Sequence, residues 1–458
     1  MEQQPLFDMP PTEDEEPNGP MGGKPRLKKA NRNQVEMHLM ALDQLVAADH
    51  RVRVVWEFVE QLDLSRLYAQ VKAIEGHAGQ SAIDARILLG LWLYATVEGV
   101  GSARALDRLC TEHIAYRWLC GGVQVNYHTL ADFRVQHGDM LDEILTNSIA
   151  ALLAEGLVDL ERVAQDGVRV RASAGSNSFH RRRTLESCLE VAQVQMEQLK
   201  QELESHPEGT SQRQRAARER VVRERKARVE QALQRMDELE SKQPNKKQSR
   251  RHRKQEVRTS MTDPEAHIMK LADGGYRPAY NVQLCADTAS QLIVGVEVVN
   301  AGNDIGQIAP MLRQLEQRCE RLPQEYLADG LPAQAGGFTT VDDLELLSQK
   351  GVVSYLPVRP NRNPAIDPYQ PKPADTPPIA EWRQRMASQH GKLIYKLPAC
   401  AGRRAATIEC INAIQRNRGL RAFGVRGLRK VRAVMLWFVL AHNLLRAHSL
   451  RLALIAAS

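Results

Sequence analysis

Three acids in this 458-residue chain carry the chemistry that its sequence suggests: Asp166, Asp329 and Glu409. Asp166 lies in RVAQDGVRVRA (162–172), where valines at 163, 168 and 170 predict a strand. A carboxylate inside such a strand is costly to bury unless it is paired or bound to a metal. Asp329 ends a short apolar strand predicted in EYLADG. Glu409 lies in a predicted helix that is otherwise crowded with arginines. Two readings stand side by side. Each acid could be one half of an ion pair. Alternatively, two strand acids and one helix acid could supply the oxygen ligands that hard divalent cations require. Two such ions about 4 Å apart can activate a water or a 3′-hydroxyl and stabilise the leaving oxygen of a phosphodiester.

The elements that must position these acids can be read from periodicity. Residues 35–158 are predicted to be helical, with apolar residues at three- and four-residue spacing from Ile83 through LWLYATVEGVG. The strings ARALDRLC and NYHTLADFRV predict further short helices, compatible with either a helix-turn-helix DNA reader or a plain bundle. AYNVQLCAD and QLIVGVEVV predict a hairpin turning at TAS. IGQIAPMLRQLEQRC then predicts a helix and GVVSYLPV a buried strand. Residues 359–378 are proline-rich and predict a surface loop.

Between Asp166 and that hairpin lies a different segment, 181–258. Leu185, Leu189, Ala192, Met196, Leu199 and Leu203 step by four and three, a heptad seam. After a break at ESHPEGTS, Val222, Val229, Leu233 and Met236 continue the stripe, which predicts an antiparallel helical hairpin. Its end, NKKQSRRHRK, contains Lys246, Lys247, Arg250, Arg251, Arg253 and Lys254. This basic run is either a solvated coil or a phosphate-binding arm.

Charge and composition set the outer bounds. The chain is 43% hydrophobic and 26% charged, enough for at least two buried cores and incompatible with a fully disordered or disulfide-scaffold protein. Its net charge is +7, but segments 181–258 and 403–432 carry +8 each, so positive charge is concentrated as in a polyanion binder. Arg416, Arg418 and Arg426 lie in the second block, and Arg416 follows Glu409 by two helical turns on the same face. Residues 1–34, with six prolines, an acidic run and KPRLKK, predict a disordered tail. Seven scattered cysteines without a CxxC pair, and no secretory signal, predict a cytoplasmic protein without disulfides. The apolar run Ala433–Ala441 is about half the length of a membrane span and predicts a buried helix, so no membrane is expected. Gly22-Gly23-Lys24 lacks the spacing of a phosphate loop, and no nucleotide cofactor is expected.

Several strings resemble, in order, bacterial insertion-sequence transposases of the DDE class. They are VAQDGVRVRASAG, TDPEAHIMKLADGGYRPAYNVQL, EYLADG, EWRQRMASQHGKLIYK and RRAATIECINAIQRNRGLRAFGVRGLRKVRAVMLWFVLAHNLLR. ARILLGLWLYATVEGVGSARALDRLCTEHIAYRWLCGGVQVNYHTLADFRVQH resembles that family's helical N-terminal domain. The resemblance spans roughly 40 to 450. It implies an α/β fold: an RNase H-like mixed sheet flanked by helices, built from 159–180 and 259–458. A helical N-terminal domain (35–158) would bind DNA, and a basic helical hairpin (181–258) would be inserted into the core. It implies Asp166, Asp329 and Glu409 as a catalytic triad ligating Mg2+ or Mn2+. It also implies double-stranded DNA as partner, both element ends and target, and a homodimer on DNA.

Two hexapeptides depart from the family's usual run, LPAQAG (331–336) after Asp329 and LPACAG (397–402) before Glu409. They motivate an alternative, a catalytically impaired relative that only binds element-end DNA. Other acids compete for the second position: Asp304 with a helix N-cap as its ordinary role, Asp273 in a turn, and Asp287 in the hairpin turn. For His128 and His442 a structural hydrogen bond is expected.

Overall fold

The computed structural model describes residues 40–71, 73, 81–205, 212–241, 257–328, 338–361, 363–396 and 405–457. The chain divides into two compact units, Met1–Leu45 and Val46–Ser458. The described part of the first is a 3-10 turn, Leu42–Leu45. The Gln44 side chain accepts the Ala41 N–H ahead of it (3.0 Å).

The second unit begins with seven helices: α1 (Arg51–Glu60), α2 (Ser65–Tyr68), α3 (Ala85–Val97), α4 (Ala103–Glu112), α5 (Ile114–Cys120), α6 (Tyr127–Gln136) and α7 (Gly138–Ala154). Side-chain caps fix many of the starts. Asp84, Ser102, His113 and Asn126 accept the N–H groups of Arg86, Ala105, Ala115 and Thr129. Gly121 ends α5 in the left-handed conformation, at φ 56°. Helix α3 is apolar on every face and buried from Ile87 to Val97, as such a helix must be.

A mixed sheet follows. It starts with β1 (Arg162–Arg171); a separate two-stranded sheet, β2 (Phe179–His180) and β3 (Thr259–Ser260), then brackets α8 (Arg182–Ser205) and α9 (Gln212–Ser241). Next come β4 (His267–Lys270), β5 (Tyr276–Asp287), β6 (Ile293–Val299), α10 (Ile308–Cys319), β7 (Glu325–Ala328), α11 (Val341–Gln349) and β8 (Val353–Tyr355). The order is β4-β5-β1-β7-β8, and β6 also pairs with β5. β1 is antiparallel to β5 and parallel to β7, and β7 is parallel to β8. The parallel neighbours β7 and β8 are joined through α11, as a parallel connection requires. The chain closes with α12 (Pro377–Ala387), α13 (Gln389–Lys396), a π-helical turn (Ala405–Glu409), α14 (Cys410–Asn417) and α15 (Leu428–Ala457). The proline-rich loop stops two residues sooner than its composition predicts, because Pro377 suits the first turn of a helix.

One hydrophobic core runs from α1 through the sheet to α15. The apolar run Ala433–Ala441 is buried, as expected, in the middle of α15. The Trp437 indole donates to the Arg134 carbonyl in α6 (2.9 Å). The inserted α8–α9 hairpin has its own small core of Leu185, Val229, Ala232 and Met236, which are seam positions or their neighbours. Its stem is tied by the Phe179–Ser260 pairing and by Arg182, which bonds Asp237 and Glu240. Among the described residues, no helix is long and apolar enough to cross a membrane.

Candidate active site

Asp166 stands in the middle of β1, half-buried, opposite Leu284 of β5. One carboxylate oxygen accepts the N–H of Gly167 (2.8 Å) and the other accepts Asn412 Nδ2 from α14 (3.1 Å). Ile408, Ile411, Asn412 and Gln415 are buried and form the inner face of that helical segment. The π-helical turn packs against β1 and β5, and the Thr407 hydroxyl donates to the Thr288 carbonyl (3.4 Å). Glu409 ends this turn three residues before Asn412, close to one helical turn. Glu409 and Arg416 are both exposed. The fold therefore brings the segment bearing Glu409 onto the strand bearing Asp166.

Asp329 lies outside the described residues, as do both hexapeptides and Lys246, Lys247, Arg250, Arg251, Arg253 and Lys254. The strand leading to Asp329 is described as far as Ala328, which pairs with Gln165. Among the described residues, no group of three or more His, Cys, Asp or Glu side chains could hold a metal ion.

Side chains alternate along a strand, so Gln165, Gly167 and Arg169 face away from Asp166. On that opposite face a buried polar network forms. The Tyr326 hydroxyl bonds the Gln165 side-chain oxygen, and Gln165 Nε2 donates to Gln283 Oε1 (2.9 Å). Gln283 Nε2 and Asn281 Nδ2 both donate to Asp304 Oδ1 (2.7 Å each), and Arg169 pairs with Asp304 Oδ2 (3.0 Å). Asp304 is therefore a paired structural carboxylate. It does not take the expected N-cap role: Gln307 occupies the N-cap position of α10, without a side-chain capping bond. A Cβ on Gly167 would lie 2.0 Å from Asp304 Oδ1, so only glycine fits beside Asp166 here.

The remaining candidates have local tasks. Asp273 accepts the Gly275 N–H in a turn (3.0 Å) and pairs with Arg277. Asp287 accepts the Ser290 N–H (2.8 Å) and hydroxyl (2.6 Å) at the hairpin turn, and burial pushes its carboxyl up. His442 is buried, and its Nε2 lies 2.9 Å from the Gln291 carbonyl, the expected structural bond. The His128 ring lies on Tyr127, with centroids 4.0 Å apart. Arg418 is half-buried, with its backbone against Gly99, and burial lowers its pKa. Arg426 is exposed, and its Nε donates to the Ser173 carbonyl (3.1 Å). Sequence reasoning missed Asn412. The available signal was a pair of polar residues, Asn412 and Gln415, on the buried face of an amphipathic helix.

Residues 40–136 match a family model described as a transposase domain (DUF772). The match ends with α6, before the sheet begins. It supports a transposase, for which DNA is the implied partner and strand breakage and joining the implied activity. No curated protein matches the chain.

Proposed function

We propose that this protein is a DNA transposase of the DDE class, which cleaves the ends of its element and joins the freed 3′-hydroxyl to target DNA. The reading rests chiefly on the Asn412–Asp166 hydrogen bond, which holds the segment ending in Glu409 against the strand of Asp166. Asp166 follows Gln165 and Asp329 follows Ala328, and Gln165 and Ala328 are partners in adjacent parallel strands. The sheet order supports an RNase H-like core, with β5 antiparallel to β1 on one side and β7 and β8 parallel on the other.

The donor set fits a hard divalent cation. Asp166 and Glu409 offer carboxylate oxygens, and Asp329 would add a third. Asp166 is half-buried and Glu409 exposed, so water and DNA oxygens can reach both. When bound, Mg2+ or Mn2+ would lower the pKa of an attacking water and stabilise the leaving oxygen. Asn412 and the Gly167 N–H hold the Asp166 carboxylate in one orientation, each using one lone pair of a different oxygen. Arg416, exposed two turns beyond Glu409, offers positive charge to a phosphate oxygen. Synapsis of two ends calls for a homodimer on DNA.

The test is incubation of the purified chain with duplex carrying the element's terminal sequence and Mg2+. A nicked product with a 3′-hydroxyl is expected, and it is lost in Asp166→Ala while DNA binding persists. The hexapeptides beside Asp329 and Glu409 favour a second reading, a binding-only relative. Retained binding with no product at any metal concentration would select it.

A further inference from the structure

The inserted hairpin meets the start of α15 in a groove of about 580 Å³. Arg228 and Arg235 of α9 form one wall, and Arg426 and Lys430 the other. Each acid in the groove has at least one oxygen engaged, while Asp263 Oδ2 is buried without a hydrogen-bond partner. Glu265 accepts the Leu428 N–H (2.8 Å), and Asp263 accepts the Gly427 N–H (3.2 Å) and the Tyr280 hydroxyl (2.7 Å). Glu238 pairs with Arg235 (2.6 Å). Burial also pushes the Asp263 carboxyl up, which weakens its opposition to an anion. Among the described residues, no carboxylate lies within ion-pair distance of Arg228, Arg426 or Lys430, although Arg228 and Arg426 act at longer range on Glu224 and Asp263. Arg228 and Arg426 spend only their Nε groups, on the backbone carbonyls of Glu224 and Ser173.

We propose that this groove is a DNA-backbone site, in which Arg228, Arg426 and Lys430 neutralise phosphates of the duplex beside the cleaved position. The inference rests on the transposase reading and adds a named contact to it. The sheet gives the spacing. Asp263 bonds Tyr280, and Tyr280 pairs with Val170, four residues along β1 from Asp166. At about 3.3 Å per residue this is roughly 13 Å. A duplex rises about 3.4 Å per base pair, so the strand positions Asp166 and Val170 stand roughly four base pairs apart, and the groove is reached from Val170 through Tyr280 and Asp263. The insertion would thus grip DNA with the root of its hairpin, where α9 is anchored beside the core.

The test uses the full chain and a fluorescein-labelled 30-base-pair duplex of arbitrary sequence, with anisotropy read across a sodium chloride series. Each phosphate neutralised contributes a slope of about 0.9 to the log–log salt dependence. Arg228→Ala/Lys430→Ala is expected to flatten the slope by about 2 and to weaken binding at least ~10-fold at 0.1 M salt. Arg228→Lys/Lys430→Arg is expected to restore the slope. Arg426→Ala, as an independent single change, should flatten it by about 1. An unchanged slope in a folded alanine variant, alongside Mg2+-dependent end cleavage by the wild type, overturns the groove and leaves the transposase intact. A flattened slope without cleavage by the wild type upholds the groove and sinks the catalytic reading. A wild-type chain that binds no duplex overturns both.

Discussion

Asn412 in α14 donates its side-chain amide to Asp166 in β1 at 3.1 Å, across 246 residues of chain. Asn412 is only 7% exposed, so its amide would be left unsatisfied without that carboxylate. A hydrogen bond to a charged group is worth about 1.5–3 kcal/mol. Asn412→Ala should therefore slow single-turnover cleavage by roughly 10- to 100-fold and raise the Mg2+ concentration needed for half-maximal rate. Duplex affinity should stay within about twofold. Asn412→Asp should be slower still, because it sets a like charge beside Asp166. Cleavage at the wild-type rate by Asn412→Ala would detach this helix from the chemistry.

Gly167 is the second position where the site constrains the sequence. A methyl group there would collide with the Asp304 carboxylate and lie 2.5 Å from Gln283 Nε2. Gly167→Ala must push apart a buried network anchored by Arg169, and overpacking alone costs about 1–3 kcal/mol. Urea denaturation should show a loss of about 3 kcal/mol or an insoluble protein. The double variant Gly167→Ala/Asp304→Ala should lose less than the sum of the singles, since both changes act on one contact. Strict additivity would mean that the backbone relaxes around the methyl group.

Asp142 of α7 ties the helical region to the sheet. It pairs with Arg318 of α10 (2.5 Å) and Arg432 of α15 (3.1 Å). The Arg318 side chain is 3% exposed, and burial lowers its pKa although Asp142 opposes that shift. Removing one member of a buried pair costs about 3–5 kcal/mol when the remaining charge has no compensation, and here Glu297 and the Val294 carbonyl still face Arg318, so a loss towards the lower end is expected. Asp142→Ala should lower the thermal midpoint accordingly, and Asp142→Ala/Arg318→Met should recover part of the loss. A midpoint within a degree of wild type in Asp142→Ala would show that water reaches Arg318.

These contacts mark the boundary of what the sequence could disclose. The strand around Asp166, the β5–β6 hairpin, the α8–α9 seam and the buried middle of α15 were legible because each repeats apolar residues at its own local period. The pairing of Asp304 with Arg169 was not legible. It needs a loop after β6 to fold back over β1, and nothing in the local sequence marks Gly167 as the residue that makes room for that loop. Asn412 was hidden for a similar reason. A polar residue on a helix's buried face announces a partner without naming it, and the partner lies in the first strand of the sheet. The helical region 35–158 read as a separate block, yet it shares its core with α15. Phe133 lies 6.3 Å from Trp437, centroid to centroid.

His442 makes the stability depend on pH. Its ring is buried in α15, and Nε2 donates to the Gln291 carbonyl, since a carbonyl can only accept. Burial pushes its pKa down to about 4, and the charges of Arg418 and Arg446 push the same way. In the unfolded chain the imidazole titrates near its ordinary value of about 6.5. Between those values the unfolded chain takes up a proton that the folded chain refuses. The contribution of this residue is therefore constant above about pH 6.5 and falls as pH drops towards 4, by about 3 kcal/mol in all. Urea midpoints measured from pH 7.5 to 4.5 should decline more steeply for the wild type than for His442→Gln, whose amide can still donate to Gln291 without titrating. Parallel declines in the two proteins would assign the acid sensitivity to other groups.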